Sequence, residues 1–362
     1  MQPRSLVADM TPYEPGKPIE EVQREFGLTE VFKLASNENP LGPSPKALEA
    51  IRLALPDLHR YPDGSATLLR HDLAAFHKLA PGQILVGNGS DEILQLVALA
   101  YLEAGDRTLT ARCTFSEYDF CSRLLNAPCD TVPLKQWTYD LDAMFHAIKS
   151  STKVIFISNP NNPTGTYVSH DDLKRFLAQV PQHILVVLDE AYAEFVRASD
   201  YPRSLQLLQQ HPNLLVLRTF SKIYGLAGLR VGYGMGHEEL IRILHKVRQP
   251  FNVNSLAQIA ARAALQDQEH VSRTRRCISD QMPLLDNGLR QVGCQTVPSQ
   301  ANFIFASTPV AGRFVFQQLL RHGVIIRPMD GFGEPKAIRV TISSLIELGR
   351  LLGLLPAIFG KS

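Results

Sequence analysis

The chain has 362 residues, 45% hydrophobic and 20% charged, with 37 Lys and Arg against 35 Asp and Glu for a net charge of +2. That length supports a large core, as two domains or one large domain with a satellite, and the near-neutral balance argues against nucleic acid or an acidic membrane surface as partner. No apolar run approaches the ~20 residues that span a bilayer, no signal peptide is expected because no apolar stretch follows Met1-Gln2-Pro3-Arg4-Ser5, and Cys113, Cys121, Cys129, Cys277 and Cys294 form no CxxC pair, as expected of reduced thiols in a cytoplasmic protein.

Residues 1–44 are rich in proline and glycine and end in Asn39-Pro40-Leu41-Gly42-Pro43. They are expected as an extended arm, not a folded unit. From 45 to 265 a large domain is expected, in which strands alternate with helices. The helical patterns cover 45–55, 66–77, 91–102, 117–126, 141–149 and 170–179. The strand patterns cover 83–86, 107–110, 152–157, 184–188, 214–217 and 231–233. These strands are short and almost continuously apolar, which suits a sheet buried on both faces. The turn-rich segment 250–254 marks the end of this texture. Residues 266–362 are expected as a smaller α+β domain. A long helical pattern over 267–292, interrupted by Pro283 and Gly288, precedes strands at 302–306, 324–327 and 338–342 and helices near 310–322 and 345–354. The fold class is therefore α/β, a mostly parallel central sheet sandwiched by helices plus a smaller α+β domain.

Four segments carry residues able to do chemistry. Val86-Gly87-Asn88-Gly89-Ser90-Asp91-Glu92 puts a glycine-rich turn between strand and helix, where backbone N–H groups meet an anion. Glu92 stands where a dinucleotide fingerprint has its third glycine, so the turn points to a phosphate more than to NAD. Asn159-Pro160-Asn161-Asn162-Pro163-Thr164-Gly165 makes a stiff turn that displays side-chain amides, with Asn162 as a donor to a ring oxygen. Asp189 ends an apolar strand, at the edge where open α/β sheets bind ligands, and Tyr192 follows three residues on. A carboxylate there can pair with a protonated pyridine nitrogen; it can also cap the next helix. Lastly, Thr219 to Arg230 places Lys222 beside Ser221, two glycines and Arg230. An unperturbed lysine, with pKa near ~10.4, is a poor nucleophile at neutral pH. Imine formation with an aldehyde cofactor removes that limit, and Ser221 and Arg230 suit the phosphate of such a cofactor.

Taken in this order the four segments resemble the aspartate-aminotransferase-like, pyridoxal-phosphate-dependent enzymes of class I and II (fold type I), over nearly the whole chain. Within that group the chain resembles the histidinol-phosphate aminotransferase family. The matching pieces are Thr11-Pro12-Tyr13-Glu14-Pro15-Gly16-Lys17-Pro18-Ile19-Glu20-Glu21, the run from Leu34 to Pro45, and Arg60-Tyr61-Pro62-Asp63-Gly64. The resemblance implies that Lys222 bears pyridoxal 5'-phosphate and shuttles the substrate proton. It implies that Asp189 pairs with the pyridinium, and that Tyr192 and Asn162 bind the ring oxygen. Gly89, Ser90, Asp91, Ser221 and Arg230 are implied at the phosphate. Phe115 falls where the family stacks an aromatic ring, often tyrosine; phenylalanine keeps the face and loses the hydroxyl.

The same resemblance implies a homodimer, with the arm reaching the small domain and the dimer contact, and Tyr61 reaching the neighbouring subunit's cofactor phosphate. Tyr13, Asn37, Tyr61, Arg327 and Arg339 are implied at the substrate, the two arginines at its anionic end. Arginine forks accept phosphate and carboxylate alike, which a site serving both histidinol phosphate and glutamate requires. Asn37 and Glu38 are candidates for reading the imidazole by location. The implied reaction interconverts L-histidinol phosphate plus 2-oxoglutarate and imidazole-acetol phosphate plus L-glutamate, in histidine biosynthesis. Open beside it are an aromatic amino-acid aminotransferase and a phospho-amino-acid decarboxylase on the same fold. More distant are an NAD-dependent oxidoreductase, which leaves Lys222, Asp189 and Asn162 without tasks, and a non-enzymatic pyridoxal-phosphate carrier. No metal site is expected.

Overall fold

The computed structural model of the chain describes residues 1–2, 4–8, 10 and 16–360. The first strand, β1 (Phe32–Lys33), lies in the arm. Seven more follow: β2 (Ile84–Gly87), β3 (Arg107–Ala111), β4 (Cys129–Val132), β5 (Thr152–Ser158), β6 (Leu185–Asp189), β7 (Leu214–Thr219) and β8 (Gly232–Gly236). They make one sheet in the order β2-β8-β7-β6-β5-β3-β4. All neighbours among β3 to β7 pair parallel, while β8 runs antiparallel to both β7 and β2. Six strands therefore point one way and only β8 is reversed.

Side-chain alternation explains why these runs are apolar throughout. Ile155, Ile157, Val186, Leu188, Leu214 and Val216 enter one core cluster, and Val154, Phe156, Leu185, Val187, Leu215 and Leu217 enter another. Successive residues of a strand face opposite sides of the sheet, so both faces are packed and neither can be polar. β4 is the exception. Its sequence, Cys-Asp-Thr-Val, is half polar, and as an edge strand it meets only β3. That polarity hides it from an apolar-run reading.

The last five strands are β9 (Gln295–Thr296), β10 (Phe303–Ser307), β11 (Val324–Ile325), β12 (Arg327–Pro328) and β13 (Ala337–Thr341). Four of them form an antiparallel sheet, β12-β13-β10-β9, and β11 pairs parallel with β1. The arm is thus partly folded, contrary to the expectation of a merely extended segment. It carries a helix, Ile19–Phe26, closed by Gly27, and its strand is anchored by backbone pairing. Val22 is fully buried with Ala35 and Ile325. A short helix with one apolar side becomes stable once that side is covered. The core itself is continuous: Leu34, Phe303 and Ile338 belong to the same cluster as Val186.

The long helix also departs from expectation. It runs unbroken over Gln268–Gln291, through Pro283 and Gly288. Proline and glycine cost a helix about 3 and 1 kcal/mol respectively. Val271, Ile278, Leu285 and Leu289 lie buried along one side, and burial of four such side chains, at about 1.5–3 kcal/mol each, outweighs that cost. Among the described residues no helix is long and apolar enough to cross a membrane.

Candidate active site

Because six strands share a direction, their carboxyl ends line one edge of the sheet, and every chemical segment sits just beyond a strand at that edge. Ser90 and Asp91 follow β2, Phe115 follows β3, Asn162 follows β5, Asp189 ends β6, and Ser221 and Lys222 follow β7. Arg230 precedes β8. Since β8 is reversed, its beginning lies at the same edge. The result is a cleft lined by Ser90, Asp91, Phe115, Asn162, Asp189, Tyr192, Ser221, Lys222 and Arg230, with Ser36, Glu38, Ser158, Ala191, Thr219 and Ala227. A second cleft of similar size, between Phe195–Arg197 and the long helix, holds none of the four segments' chemical residues; Arg197, Arg275 and Arg276 there are exposed.

At one end of the site, Arg230 donates to Asp91 Oδ2 at 3.0 Å, to Ser221 Oγ at 3.5 Å and to the carbonyl of Ala227 at 3.2 Å. Gly89 opens the helix Gly89–Tyr101 with φ +80°, and a Cβ there would lie 2.7 Å from Arg230 Nη2. A side chain at 89 would therefore displace the guanidinium. Asp91's carboxylate is spent on Arg230, so what it offers an anion is its backbone N–H at the helix start.

At the other end is Asp189, 4% exposed. Tyr118 Oη donates to its Oδ2 at 2.9 Å and the Ala191 N–H to its Oδ1 at 3.1 Å. Burial pushes the carboxyl up, to about 6, against the pull of those two hydrogen bonds; Asp91 adds to the push and Lys222 opposes it. Between the two ends lies Lys222, whose Nζ donates to the Ser36 carbonyl at 3.3 Å and stands 5.7 Å from the Tyr192 ring centre. Asn37 Nδ2 donates to Tyr192 Oη at 2.9 Å. The loop bearing Asn162 contains two cis X-Pro bonds, at Pro160 and Pro163. Its neighbour Asn161 is fully buried and ties that loop to Phe115's: it donates to the Cys113 carbonyl at 3.2 Å and accepts from Thr114 Oγ1 at 2.8 Å.

The arm closes over the lysine. Asn39 Nδ2 donates to the Ile223 carbonyl at 2.8 Å and to Thr274 Oγ1 at 3.1 Å. Gly225 has φ +70°, and an added Cβ would lie 2.2 Å from the carbonyl oxygen of Gly42. Both the conformation and the space demand glycine. Gly225→Ala is expected to cost about 2–4 kcal/mol, from φ strain plus a backbone collision. A lower denaturation midpoint at unchanged m-value is the readout; an unaltered midpoint would show that the arm yields freely.

Other sequence-based candidates are placed differently. Tyr61 is 83% exposed and stacks on Phe251 at 4.9 Å, away from this cleft's lining. Arg339 is buried; it donates to Asn162 Oδ1 and to the Ala35 carbonyl, with its cation 5.3 Å from the Phe303 ring centre. Arg327 is its cross-strand partner between β12 and β13. Asn37, with φ +56° and 1% exposed, has its side chain tied to Tyr192 and Thr341, and so serves as a link between arm, cleft and second sheet. Glu38 lines the cleft and is ion-paired with Lys33. Tyr13 lies outside the described residues. Tyr118 and Asn161, which hold Asp189 and the two loops, were not singled out by sequence. Their partners are 71 and 48 residues away, a separation no local spacing encodes.

The geometry has counterparts among known proteins. The model of the family "Aminotransferase class I and II" matches residues 29–353. Histidinol-phosphate aminotransferase 1 of Nitrosococcus oceani is 46% identical over 352 residues, 97% of this chain and 95% of the relative. Histidinol-phosphate aminotransferase 2 of Pseudomonas fluorescens is 48% identical over 357 residues, 98% of this chain and 96% of the relative. Among solved structures, histidinol-phosphate aminotransferase from Sinorhizobium meliloti, in complex with pyridoxal-5'-phosphate, superposes with a TM-score of 0.91 at 27% identity, covering 98% of this chain and 97% of that one. The aspartate-aminotransferase-like fold expected from the sequence is the fold observed, and the chain belongs to the class I and II aminotransferases and, within them, to the histidinol-phosphate aminotransferase family.

Proposed function

We propose that the cleft holds pyridoxal 5'-phosphate and transfers an amino group between L-histidinol phosphate and 2-oxoglutarate, giving imidazole-acetol phosphate and L-glutamate in histidine biosynthesis. One observation carries the reading: an amine, a buried carboxylate and an anion clamp face one cleft at the same edge of the sheet. The residues fit the cofactor. Asp189, buried and resisting ionisation, is favoured by Lys222 only as the smallest of the influences on it and is in none of the close ion pairs among the described residues; a protonated ring nitrogen would supply the positive partner. The bare backbone at Gly89, next to Arg230 and Ser221, forms a cradle of phosphate character.

In this reading Lys222 bonds the cofactor, Asp189 holds the ring nitrogen, and Tyr192 and Asn162 hold the ring oxygen. Phe115 covers the ring face, and Gly89, Ser90, Asp91, Ser221 and Arg230 hold the phosphate. When bound, the cofactor supplies a ring able to take up the electron pair left by a broken C–H bond. Lys222 Nζ moves the proton, and Asn37 keeps the Tyr192 hydroxyl in place. Arg327 and Arg339 receive the substrate's anionic end. The two stand opposite each other on β12 and β13, and Arg339 donates to Asn162, which lines the cleft.

We also propose a homodimer of cytoplasmic location. Tyr61 is surrounded in sequence by exposed Leu53, Leu55, Leu58 and Leu68, an apolar surface suited to a second copy. A second copy there would let Tyr61 complete the neighbouring site. The arm (1–44), a large unit (45–265) and a small unit (266–362) are the proposed divisions.

Titrating purified, cofactor-loaded protein with histidinol phosphate tests the function. The cofactor's visible absorbance is expected to convert, with turnover on adding 2-oxoglutarate. Faster turnover of phenylalanine or tyrosine would replace the substrate assignment by an aromatic amino acid, and release of carbon dioxide would replace transamination by decarboxylation.

A further inference from the structure

We propose that Tyr118 is a positioning residue that keeps Asp189 in the ionised form the cofactor's ring nitrogen requires; this rests on the pyridoxal-phosphate reading above. Tyr118 lies in the helix Glu117–Leu124 and has no exposed surface. Its ring is stacked on Phe156 of β5 at 5.0 Å and 3°, and meets Phe115 edge-on at 5.6 Å. Those contacts fix the ring, and the fixed ring delivers its hydroxyl to Asp189 Oδ2 at 2.9 Å. The other carboxylate oxygen is held by the Ala191 N–H, from Asp189's own loop. Tyr118 is absent from the cleft lining; its ring touches Phe115, a contact that phenylalanine would keep, and its hydroxyl acts on a bound ring through Asp189.

The chemistry is one of charge. A hydrogen bond to an ionised acceptor is worth more than one to a neutral acceptor. Burial pushes Tyr118's own phenol well above its ordinary value, so it remains a donor across the working range. Among the described residues, the other charged or titratable groups acting on Asp189 are Asp91, which opposes its ionisation, Lys222, which favours it, and Tyr139 beside Tyr118, whose phenol the Ser158 hydroxyl also engages. Loaded protein needs the carboxylate at every pH. Free protein has the carboxylate only above Asp189's pKa. Removing the Tyr118 hydroxyl therefore weakens loading at low pH, where only the loaded state loses a charge-assisted bond. At high pH both states lose it and the effect cancels.

The test is the Kd of full-length apo protein for pyridoxal phosphate, as the ratio of Tyr118→Phe to wild type across pH. Phenylalanine keeps both ring contacts. The ratio is expected to be about tenfold near pH ~5.5 and to fall towards one near pH ~8.5. Ser122→Ala, which removes another buried hydroxyl from the same helix, is the control and is expected to give a flat ratio. A flat ratio in Tyr118→Phe, or the same slope in Ser122→Ala, would overturn the inference. If the phenylalanine variant does not fold, a fluorinated tyrosine at 118 is a stronger donor and reverses the sign, with a ratio below one at low pH; a flat ratio there overturns the inference equally. Wild-type protein that takes up no pyridoxal phosphate at any pH sinks the proposed function itself, an outcome distinct from normal loading with a flat ratio.

Discussion

Lys222→Ala is expected to lower the rate of amino transfer by at least ~10⁴-fold, because the proton carrier and the covalent anchor leave together. The fold should survive. Lys222 is only partly buried, and among the described residues its amine makes a single hydrogen bond, at 3.3 Å, to the Ser36 carbonyl. Losing such a bond costs about 1 kcal/mol. Folded and inactive is therefore the expected pairing, measured by steady-state turnover alongside a denaturation curve. Small primary amines added to the variant should restore part of the rate, since they can occupy the vacated volume and carry the proton. A variant that keeps more than about a tenth of wild-type turnover would remove Lys222 from the chemistry.

Asp189→Asn should move activity and stability in opposite directions. The amide is nearly isosteric and can still accept from Tyr118, but it offers no charge to a cationic ring nitrogen. Loss of one such electrostatic contact lowers kcat by about 10²–10³-fold. The apo protein, by contrast, should gain. Asp189's carboxyl is raised from 3.8 to about 6 by burial. A group raised on folding contributes stability that is complete below its unfolded pKa and lost as the pH climbs through the folded one. Wild-type apo protein therefore forfeits up to ~3 kcal/mol between pH ~4 and ~7. Asparagine does not titrate and escapes that loss, less the hydrogen bond that the Ala191 N–H no longer finds. The wild-type midpoint should fall relative to the variant's between pH ~4 and ~8, a comparison in which the other titrating groups, such as His77 and His245, cancel. Equal pH dependence in both proteins would remove Asp189 as the source. Cofactor affinity should likewise fall in wild type below pH about 6 and stay uniformly weak in the variant.

What the sequence disclosed followed from local chemistry. The central strands were legible because their residues are apolar on both faces, and the chemical segments because turn residues punctuate those strands. Asp189, Asn162 and Lys222 could each be placed at a strand end. That all of them meet at one edge is a property of strand direction, which no single segment contains. The reversed β8, which brings Arg230 back beside Ser221, could not be read from Val231-Gly232-Tyr233. β4 was hidden by its polarity, and the stability of the long helix through Pro283 depends on what it packs against. Tyr118 and Asn37 were illegible as scaffold for a different reason: each acts through a partner far along the chain.

The clasp of the arm on the rest of the molecule has a temporal consequence. Asn37's backbone donates to Thr341, and Arg339 donates to the Ala35 carbonyl; each pair is separated by 304 residues. The arm is therefore synthesised 304 residues ahead of these partners. Closing so long a loop contributes no contacts until both ends exist. The large sheet can assemble during synthesis from neighbouring strands, while the roof above Lys222 must wait for β13. A nascent chain would therefore carry a built floor and an open site, and competence for catalysis would arrive as a single concerted event once β13 has been made.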